Sequence, residues 1–99
     1  MTFAVRYSQG ALDDLERLYD YLLVRDIELA EKAYQAIAKA TGFLENFPFS
    51  CRKASADNAF LRELVIPFGS SGYVALFEIE DSETVTILAI RHQREEDYH

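Results

Sequence analysis

The sequence predicts an α+β domain in which a hairpin of two helices packs on one face of a small, mainly antiparallel, four-stranded sheet. Two observations predict this fold class. After a short β-forming stretch, apolar residues recur at steps of three and four over residues 10–44, the period of amphipathic helices. From residue 60 onward the period falls to two, which is typical of strands. The predicted order is β-α-α-β-β-β, in a single domain over residues 1–99.

The first three elements are a strand and two helices. The strand covers residues 2–7. Ser8 and Asp26 are predicted N-caps, because their side-chain oxygens accept hydrogen bonds from the first free amides of a helix. The second helix ends before Pro48, since proline disfavours a helical residue ahead of it. The two apolar stripes are Leu12, Leu15, Leu18, Tyr19 and Leu22, then Ala30, Ala33, Tyr34, Ile37, Thr41 and Leu44.

The second half of the chain predicts a loop and three strands. Residues 47–59 have no period and form the loop, whereas residues 60–67, 72–79 and 84–91 form a meander with short connections. The last strand is apolar on both sides, and strict alternation places His92 with Leu88 and Ile90 on the side away from the helices. In the strand before it, the residues facing the helices are Tyr73, Ala75, Phe77 and Ile79, and those facing away are Val74, Leu76 and Glu78.

Charge and composition narrow the function classes. The net charge is −7, and both halves of the chain are acidic, which disfavours direct binding of nucleic acid. No apolar run approaches the length of about 20 residues that spans a bilayer, and no targeting segment is recognisable, so a cytoplasmic protein without membrane contact is expected. The chain has no Cys/His/carboxylate spacing of a metal site, so neither a metal nor a cofactor is expected.

The single cysteine excludes an intramolecular disulfide. Cys51 is followed by Arg52 and Lys53, whose positive charges favour a thiolate, although an incidental loop residue is the preferred interpretation. Ser70 and Ser71 lie between glycines and are predicted to form a simple turn, because the nucleophile-elbow and phosphate-loop patterns are absent.

The C-terminal stretch AIRHQREEDYH, residues 89–99, allows two interpretations. His92 and a nearby arginine have the chemistry to move protons and to stabilise a phosphate, as cleavage of an RNA backbone requires. Alternatively, the mixed charges are a solvated and partly self-neutralising terminus. Arg62 and Glu63 interrupt an otherwise apolar strand, which predicts either a sheet edge or a retained contact.

The second half of the chain resembles a known protein family. The stretch FLRELVIPFGSSGYVALFEIEDSETVTILAIRHQREEDY, after a short strand and two helices, resembles the RelE/ParE superfamily of toxins from type II toxin–antitoxin (plasmid stabilisation) modules. Its specific parts are L-R-E-L at residues 61–64, Gly72-Tyr73, and V-T-I-L-x-x-R-H-x-R at residues 85–94. The fold implied by the resemblance, β-α-α-β-β-β, agrees with the order read from periodicity.

The superfamily includes mRNA nucleases and gyrase inhibitors. RelE-like members have an arginine early in the third strand, where this chain has Val74. The resemblance therefore implies a ParE-like toxin without a catalytic site, which binds DNA gyrase and forms a hetero-oligomer with a cognate antitoxin. The alternative is a ribosome-dependent mRNA endonuclease with Arg62, His92, Arg94 and Tyr98 as catalytic residues, and a third reading is a non-toxic remnant. The residues expected to contact target or antitoxin are Arg62, Val74, Leu76, Leu88, Ile90, Arg91, His92, Gln93, Arg94 and Tyr98.

Overall fold

The computed structural model describes residues 2–95, which form two helices and one five-stranded sheet. The elements are β1 (Ala4–Tyr7), α1 (Gln9–Leu23), α2 (Ile27–Gly42), 3₁₀ turns at Phe43–Glu45 and Pro48–Ser50, β2 (Arg52–Ser55), β3 (Asn58–Phe68), β4 (Ser71–Ile79) and β5 (Thr84–His92). The strand order is β1-β5-β4-β3-β2. β1 runs parallel to β5 and the other pairs are antiparallel, so the sheet is mixed.

The predicted helix boundaries are confirmed. The Ser8 side chain accepts a hydrogen bond from the Ala11 amide, and Asp26 accepts two from the first turn of α2. The second helix ends at Gly42, ahead of Pro48. No helix within residues 2–95 is long and apolar enough to cross a membrane.

The prediction of four strands is wrong, because residues 47–59 contain β2 as well as a 3₁₀ turn. β2 pairs with the first half of β3, with Arg52 opposite Glu63. Its sequence, RKAS, is too short and too polar to show a strand period. Cationic side chains on a short edge strand are a common protection against pairing with another sheet.

The prediction for the two sides of β4 is confirmed. Tyr73, Ala75, Phe77 and Ile79 are buried in the core, which also contains Ala11, Leu18, Ala33 and Ile37 from the helices. We call this side of the sheet the helix face and the other side the open face. On the open face Leu76 is half-buried and Val65 is exposed. The second residue of β4 is Gly72, where a side chain has no room because a Cβ would collide with the carbonyl oxygen of Ile66.

A β-bulge overturns the predicted sides of β5. The register pairs Phe77 with Ile87 but Leu76 with Ala89, so Leu88 is an extra residue. Beyond such a residue the alternation of side chains is inverted. Ile90 and His92 therefore share the helix face, where they pair with Ala75 and Tyr73, and Ile90 is fully buried. The prediction that His92 lies on the open face with Leu88 and Ile90 is wrong for this reason.

Candidate functional site

The C-terminal half of β5 extends beyond its neighbour. β1 pairs with β5 only as far as Ile87, and the free edge continues to His92. An unpaired strand edge is a template for unwanted pairing. Helix α1 comes close enough to cover this edge because of Gly10, where a Cβ would lie 3.3 Å from the Leu88 carbonyl oxygen. The region is therefore protected by the helix instead of by another strand.

Side chains satisfy the backbone groups along this free edge. Ser8 Oγ donates to the Leu88 carbonyl at 3.1 Å. Asp14 Oδ2 accepts from the Ile90 amide at 2.9 Å, and Arg17 Nη2 donates to the Ile90 carbonyl at 3.5 Å. Glu95 Oε1 accepts from the His92 amide at 3.0 Å. These four side chains, Ser8, Asp14, Arg17 and Glu95, form what we call the edge latch.

Asp14 is the buried member of the edge latch. Asp14 is only 6 % exposed, and its Oδ1 lies 3.7 Å from Arg17 Nη2. A buried carboxylate is tolerated where hydrogen bonds and a cation compensate its lost hydration. Asp14 was not among the functional residues predicted from the sequence. The available signal was its spacing, since Ala11, Asp14 and Leu18 follow the three-four period of the buried stripe.

The residues after β5 fold back onto the strand and the helix. Arg91 Nη1 donates to the Glu95 carbonyl at 2.8 Å. Glu95 also accepts from Arg17 Nη1 at 3.2 Å, which ties the turn to α1. The stretch predicted to be either catalytic or solvated is thus folded against the protein as far as Glu95.

Both ring nitrogens of His92 bind groups of the protein itself. Nδ1 accepts from the Arg94 amide at 3.1 Å, and Nε2 lies 3.1 Å from Ser71 Oγ. Because a backbone amide can only donate, Nδ1 carries no proton, and the neutral ring donates from Nε2 to Ser71. The ring stands edge-on to Tyr73, with centroids 5.6 Å apart. His92 therefore connects the tail to the β3–β4 turn.

A cleft of ≈ 610 Å³ opens beside this turn, and we call it the tail cleft. Its walls are mainly apolar and aromatic, and its rim carries two arginines and one carboxylate. The lining residues are Arg17, Leu18, Tyr21, Leu22, Leu29, Phe68, Gly69, Ser70, Ser71, Tyr73, His92, Arg94 and Glu95. The prediction of a simple turn at Ser70 and Ser71 is confirmed, with Gly69 in the left-handed region at φ 61°.

The structure does not bring together the three predicted catalytic residues that it describes, Arg62, His92 and Arg94. Arg62 pairs with Phe77 and His92 pairs with Tyr73, four residues away along β4. That separation is about 13 Å at the rise of a β-strand. Only His92 and Arg94 share the tail cleft. Tyr98 lies outside the described residues.

The other predicted contact residues are dispersed. Val74 and Ile90 are buried, the former on the open face and the latter on the helix face. Leu76 and Arg91 share the open face, where Leu76 pairs with Ala89 and Arg91 with Val74. Leu88 is the bulge residue. The backbone amide of Gln93 donates to the Gly72 carbonyl.

Burial is the main cause of the shifts in acidity at Tyr73 and Cys51. Burial raises the pKa of the Tyr73 hydroxyl in the core beside the tail cleft. Burial also raises the pKa of the Cys51 thiol, and the nearby Arg62 guanidinium opposes this only in part. The net shift is thus away from the thiolate that Arg52 and Lys53 were expected to favour. Within residues 2–95 no three His, Cys, Asp or Glu side chains are grouped as metal ligands would be.

The helix hairpin on a mixed sheet agrees with the class of fold that the resemblance to RelE/ParE toxins implied. The model of the ParE toxin of the type II toxin–antitoxin system, parDE, matches residues 5–97, and the chain belongs to this family.

Two solved structures share this fold. A chromosomal ParDE toxin–antitoxin system from P. aeruginosa is 22 % identical at a TM-score of 0.73, covering 91 % of this chain and 95 % of that one. The toxin–antitoxin complex RelBE2 from Mycobacterium tuberculosis is 20 % identical at a TM-score of 0.50, covering 94 % and 100 %. No curated protein matches the sequence. At these identities the likeness concerns the fold.

Proposed function

We propose that this ParE-family toxin inhibits growth by binding DNA gyrase and that a cognate antitoxin holds it inactive. The observation that carries the proposal is the state of His92 in a chain of this family. Both of its ring nitrogens are bound by Ser71 and the Arg94 amide, so neither is directed at a substrate. Arg62 is likewise bound to carbonyls of the protein. These residues build a binding surface instead of an acid–base pair.

The alternative is a ribosome-dependent mRNA endonuclease. It requires a general base, a general acid and a cation converging on one phosphate. His92 and Arg94 share one cleft, but Arg62 is about 13 Å away along the sheet. The net charge of −7 also opposes approach to ribosomal RNA. Both observations favour binding of a protein target.

The tail cleft is the proposed target-binding site. Its apolar walls suit an apolar anchor of the target, and the Arg94 guanidinium at the rim suits an adjacent carboxylate. Leu76 and Arg91 lie on the open face, across the sheet from the tail cleft, and with Gln93 form a second part of the proposed contact surface. We expect Arg94 to contribute mainly through charge.

Antitoxin binding is supported by the outer edge of β1. The amides of Ala4 and Ser8 bond to carbonyls of the β4–β5 turn and β5, so Val5 and Tyr7 direct theirs outward. A groove of ≈ 520 Å³ lies beside this edge, with walls that include Leu12, Leu15, Tyr34 and Ile37. An extended segment paired to an edge strand, with side chains in a flanking groove, is a common recognition mode. The two structural neighbours are themselves toxin–antitoxin complexes.

A supercoiling assay with purified gyrase tests the proposal. The toxin is expected to block supercoiling, and the product of the neighbouring antitoxin gene is expected to restore it. Arg94→Glu should weaken inhibition by about tenfold, the loss of one good charged contact. Lys32→Glu, which reverses an exposed cation of α2 outside the tail cleft, is the control and should act like wild type. Unchanged supercoiling together with codon-positioned cuts in ribosome-bound mRNA would establish the endonuclease instead.

A further inference from the structure

Four of the seven phenylalanines are exposed at the end of the sheet opposite the tail cleft. Phe43, Phe47, Phe49 and Phe60 are 45, 56, 52 and 53 % exposed. They are paired, with ring centroids 5.2 Å apart for Phe43 and Phe47 and 6.2 Å for Phe49 and Phe60. Exposed aromatic clusters of this kind are uncommon on monomers and mark interaction surfaces.

Arg62 fixes the position of these rings. Its Nε donates to the Ala59 carbonyl at 2.7 Å, and its Nη1 donates to the carbonyls of Cys51 at 2.8 Å and Phe49 at 3.2 Å. Its guanidinium also lies 5.5 Å from the centre of the Phe49 ring. One side chain thus ties the 3₁₀ turn that carries Phe49 to the strand that carries Phe60. A surface that is already ordered loses less entropy when it binds.

A cleft of ≈ 920 Å³ extends from these rings to the β4–β5 turn, and we call it the aromatic cleft. It is lined by Phe3, Phe49, Asn58, Phe60, Glu78, Ile79, Glu80, Asp81 and Ser82. The lining thus combines an apolar floor with three carboxylates and contains neither Lys nor Arg. Two of the carboxylates are held in place, since Glu80 accepts from the Thr86 hydroxyl and Asp81 from the Glu83 amide.

We propose that the aromatic cleft docks a segment of a partner protein in which an apolar anchor is flanked by Lys or Arg. The anchor fills the space between Phe49, Phe60 and Ile79. The flanking cations pair with the carboxylates and lie against the aromatic ring faces. The aromatic cleft shares no lining residue with the tail cleft, so the proposal does not depend on gyrase as the target.

The charge of the aromatic cleft argues against a second copy of this chain as the occupant. A two-fold contact brings the same patch of both subunits together. On this surface it would place Glu78, Glu80 and Asp81 against their own counterparts, and like charges in a contact cost free energy. A nucleic acid is disfavoured by the same carboxylates. A cationic protein segment satisfies both the apolar and the charged lining.

NMR titration of the purified chain tests the proposal with short synthetic peptides. One peptide alternates leucine with lysine, the second has glutamate for lysine, and the third has serine for leucine. Only the leucine–lysine peptide should shift the amide signals of Phe49, Phe60 and Ile79. Phe60→Ser should weaken its binding about tenfold, as loss of a central anchor does. Glu78→Lys should do the same, while Val24→Ser, at the exposed tip of the helix hairpin, should have no effect.

Four results would overturn the proposal. These are equal binding of the glutamate peptide, equal binding of the serine–lysine peptide, shifts confined to the tail cleft, and unchanged affinity in both variants. Signal broadening that grows with protein concentration in the absence of peptide would favour a second copy and also reject it. The amide spectrum of each variant reports whether it is folded, and Glu78→Lys provides the test if Phe60→Ser unfolds.

Discussion

The two ends of the sheet differ in how the free backbone polar groups of their edge segments are hydrogen-bonded. At the tail end, the free backbone groups of β5 are satisfied by four side chains from α1 and the C-terminal turn. At the aromatic end, one arginine satisfies three carbonyls of the segment around β2. Stabilisation is shared among several residues at the first end and concentrated in one at the second. Single substitutions should therefore have graded effects at the tail end, largest at the buried Asp14. At the aromatic end one substitution, that of Arg62, should remove most of the stabilisation.

The two ends also differ in charge. The rim of the tail cleft carries Arg17 and Arg94 against the single carboxylate of Glu95, while the aromatic cleft carries three carboxylates. The chain as a whole has a net charge of −7, so the cationic rim is a local exception. Electrostatic complementarity selects partners and speeds association. The two proposed sites are therefore expected to select chemically different partner segments.

Loss of the buried carboxylate should have the largest effect. Asp14→Ala leaves the Ile90 amide without its acceptor and Arg17 without its buried counterion. We expect the free energy of unfolding to fall by about 3 kcal/mol, measured by urea denaturation. Asp13→Ala, which removes an exposed carboxylate bonded to Gln9, is the control and should cost under about 0.5 kcal/mol. Equal losses in the two variants would show that the edge latch is not stabilising.

Substitution of Arg62 tests how much this one side chain stabilises the aromatic end. Arg62→Met keeps the length of the side chain but removes its bonds to the three carbonyls, and we expect a loss of about 2 kcal/mol. Arg62→Lys should recover little, because one ammonium cannot reproduce the planar fork of a guanidinium. The control is Arg52→Met, which breaks an exposed pair with Glu63 and should cost about 0.5 kcal/mol. Thermal unfolding that ranks Arg52→Met as the more damaging change would reverse this assignment.

Periodicity predicted the helices, their caps and the two sides of β4, because long regular segments leave a clear pattern in the sequence. The β-bulge left no such pattern. Val85, Ile87, Leu88 and Ile90 make both sides of β5 apolar, so a shift of one residue exposes no polar side chain as a marker. The predicted side of His92 was wrong because the one-residue register shift at the bulge has no signature in the sequence.

The candidate site residues likewise divide into those with a signal in the sequence and those without one. Arg62 was recognisable as a polar interruption of an apolar strand, but the groups it binds are backbone carbonyls, which have no sequence signature. Asp14 carried a usable signal, since its spacing places it on the buried stripe of α1. The tail residues were predicted as a group, and only the fold shows that His92 and Arg94 line a common cleft.

Ser8 separates helix capping from protection of the strand edge. Its hydroxyl accepts from the Ala11 amide and donates to the Leu88 carbonyl, so Ser8→Ala should cost about 1 kcal/mol. Asp is as good an N-cap as Ser but cannot donate a hydrogen bond when ionised. Ser8→Asp should therefore be as destabilising as Ser8→Ala, since its carboxylate faces the Leu88 carbonyl oxygen. A Ser8→Asp variant as stable as wild type in urea denaturation would mean that only the helix cap matters.

The smallest effect concerns the Cys51 thiol at the aromatic end. Burial raises its pKa above the ordinary value of 9.0 and the charge of Arg62 lowers it in part, so Arg62→Met should raise it further. Arg62→Lys keeps the positive charge and should leave the thiol close to its wild-type behaviour. The rate of reaction with a disulfide reagent, followed against pH, measures the midpoint. Because the folded chain keeps this thiol neutral beyond pH 9.0, its contribution to stability is complete below that pH and is lost as the pH rises further. An unchanged midpoint in Arg62→Met would show that the guanidinium does not act on the thiol. Arg62 would then be held less tightly against the segment around β2 than its hydrogen bonds indicate.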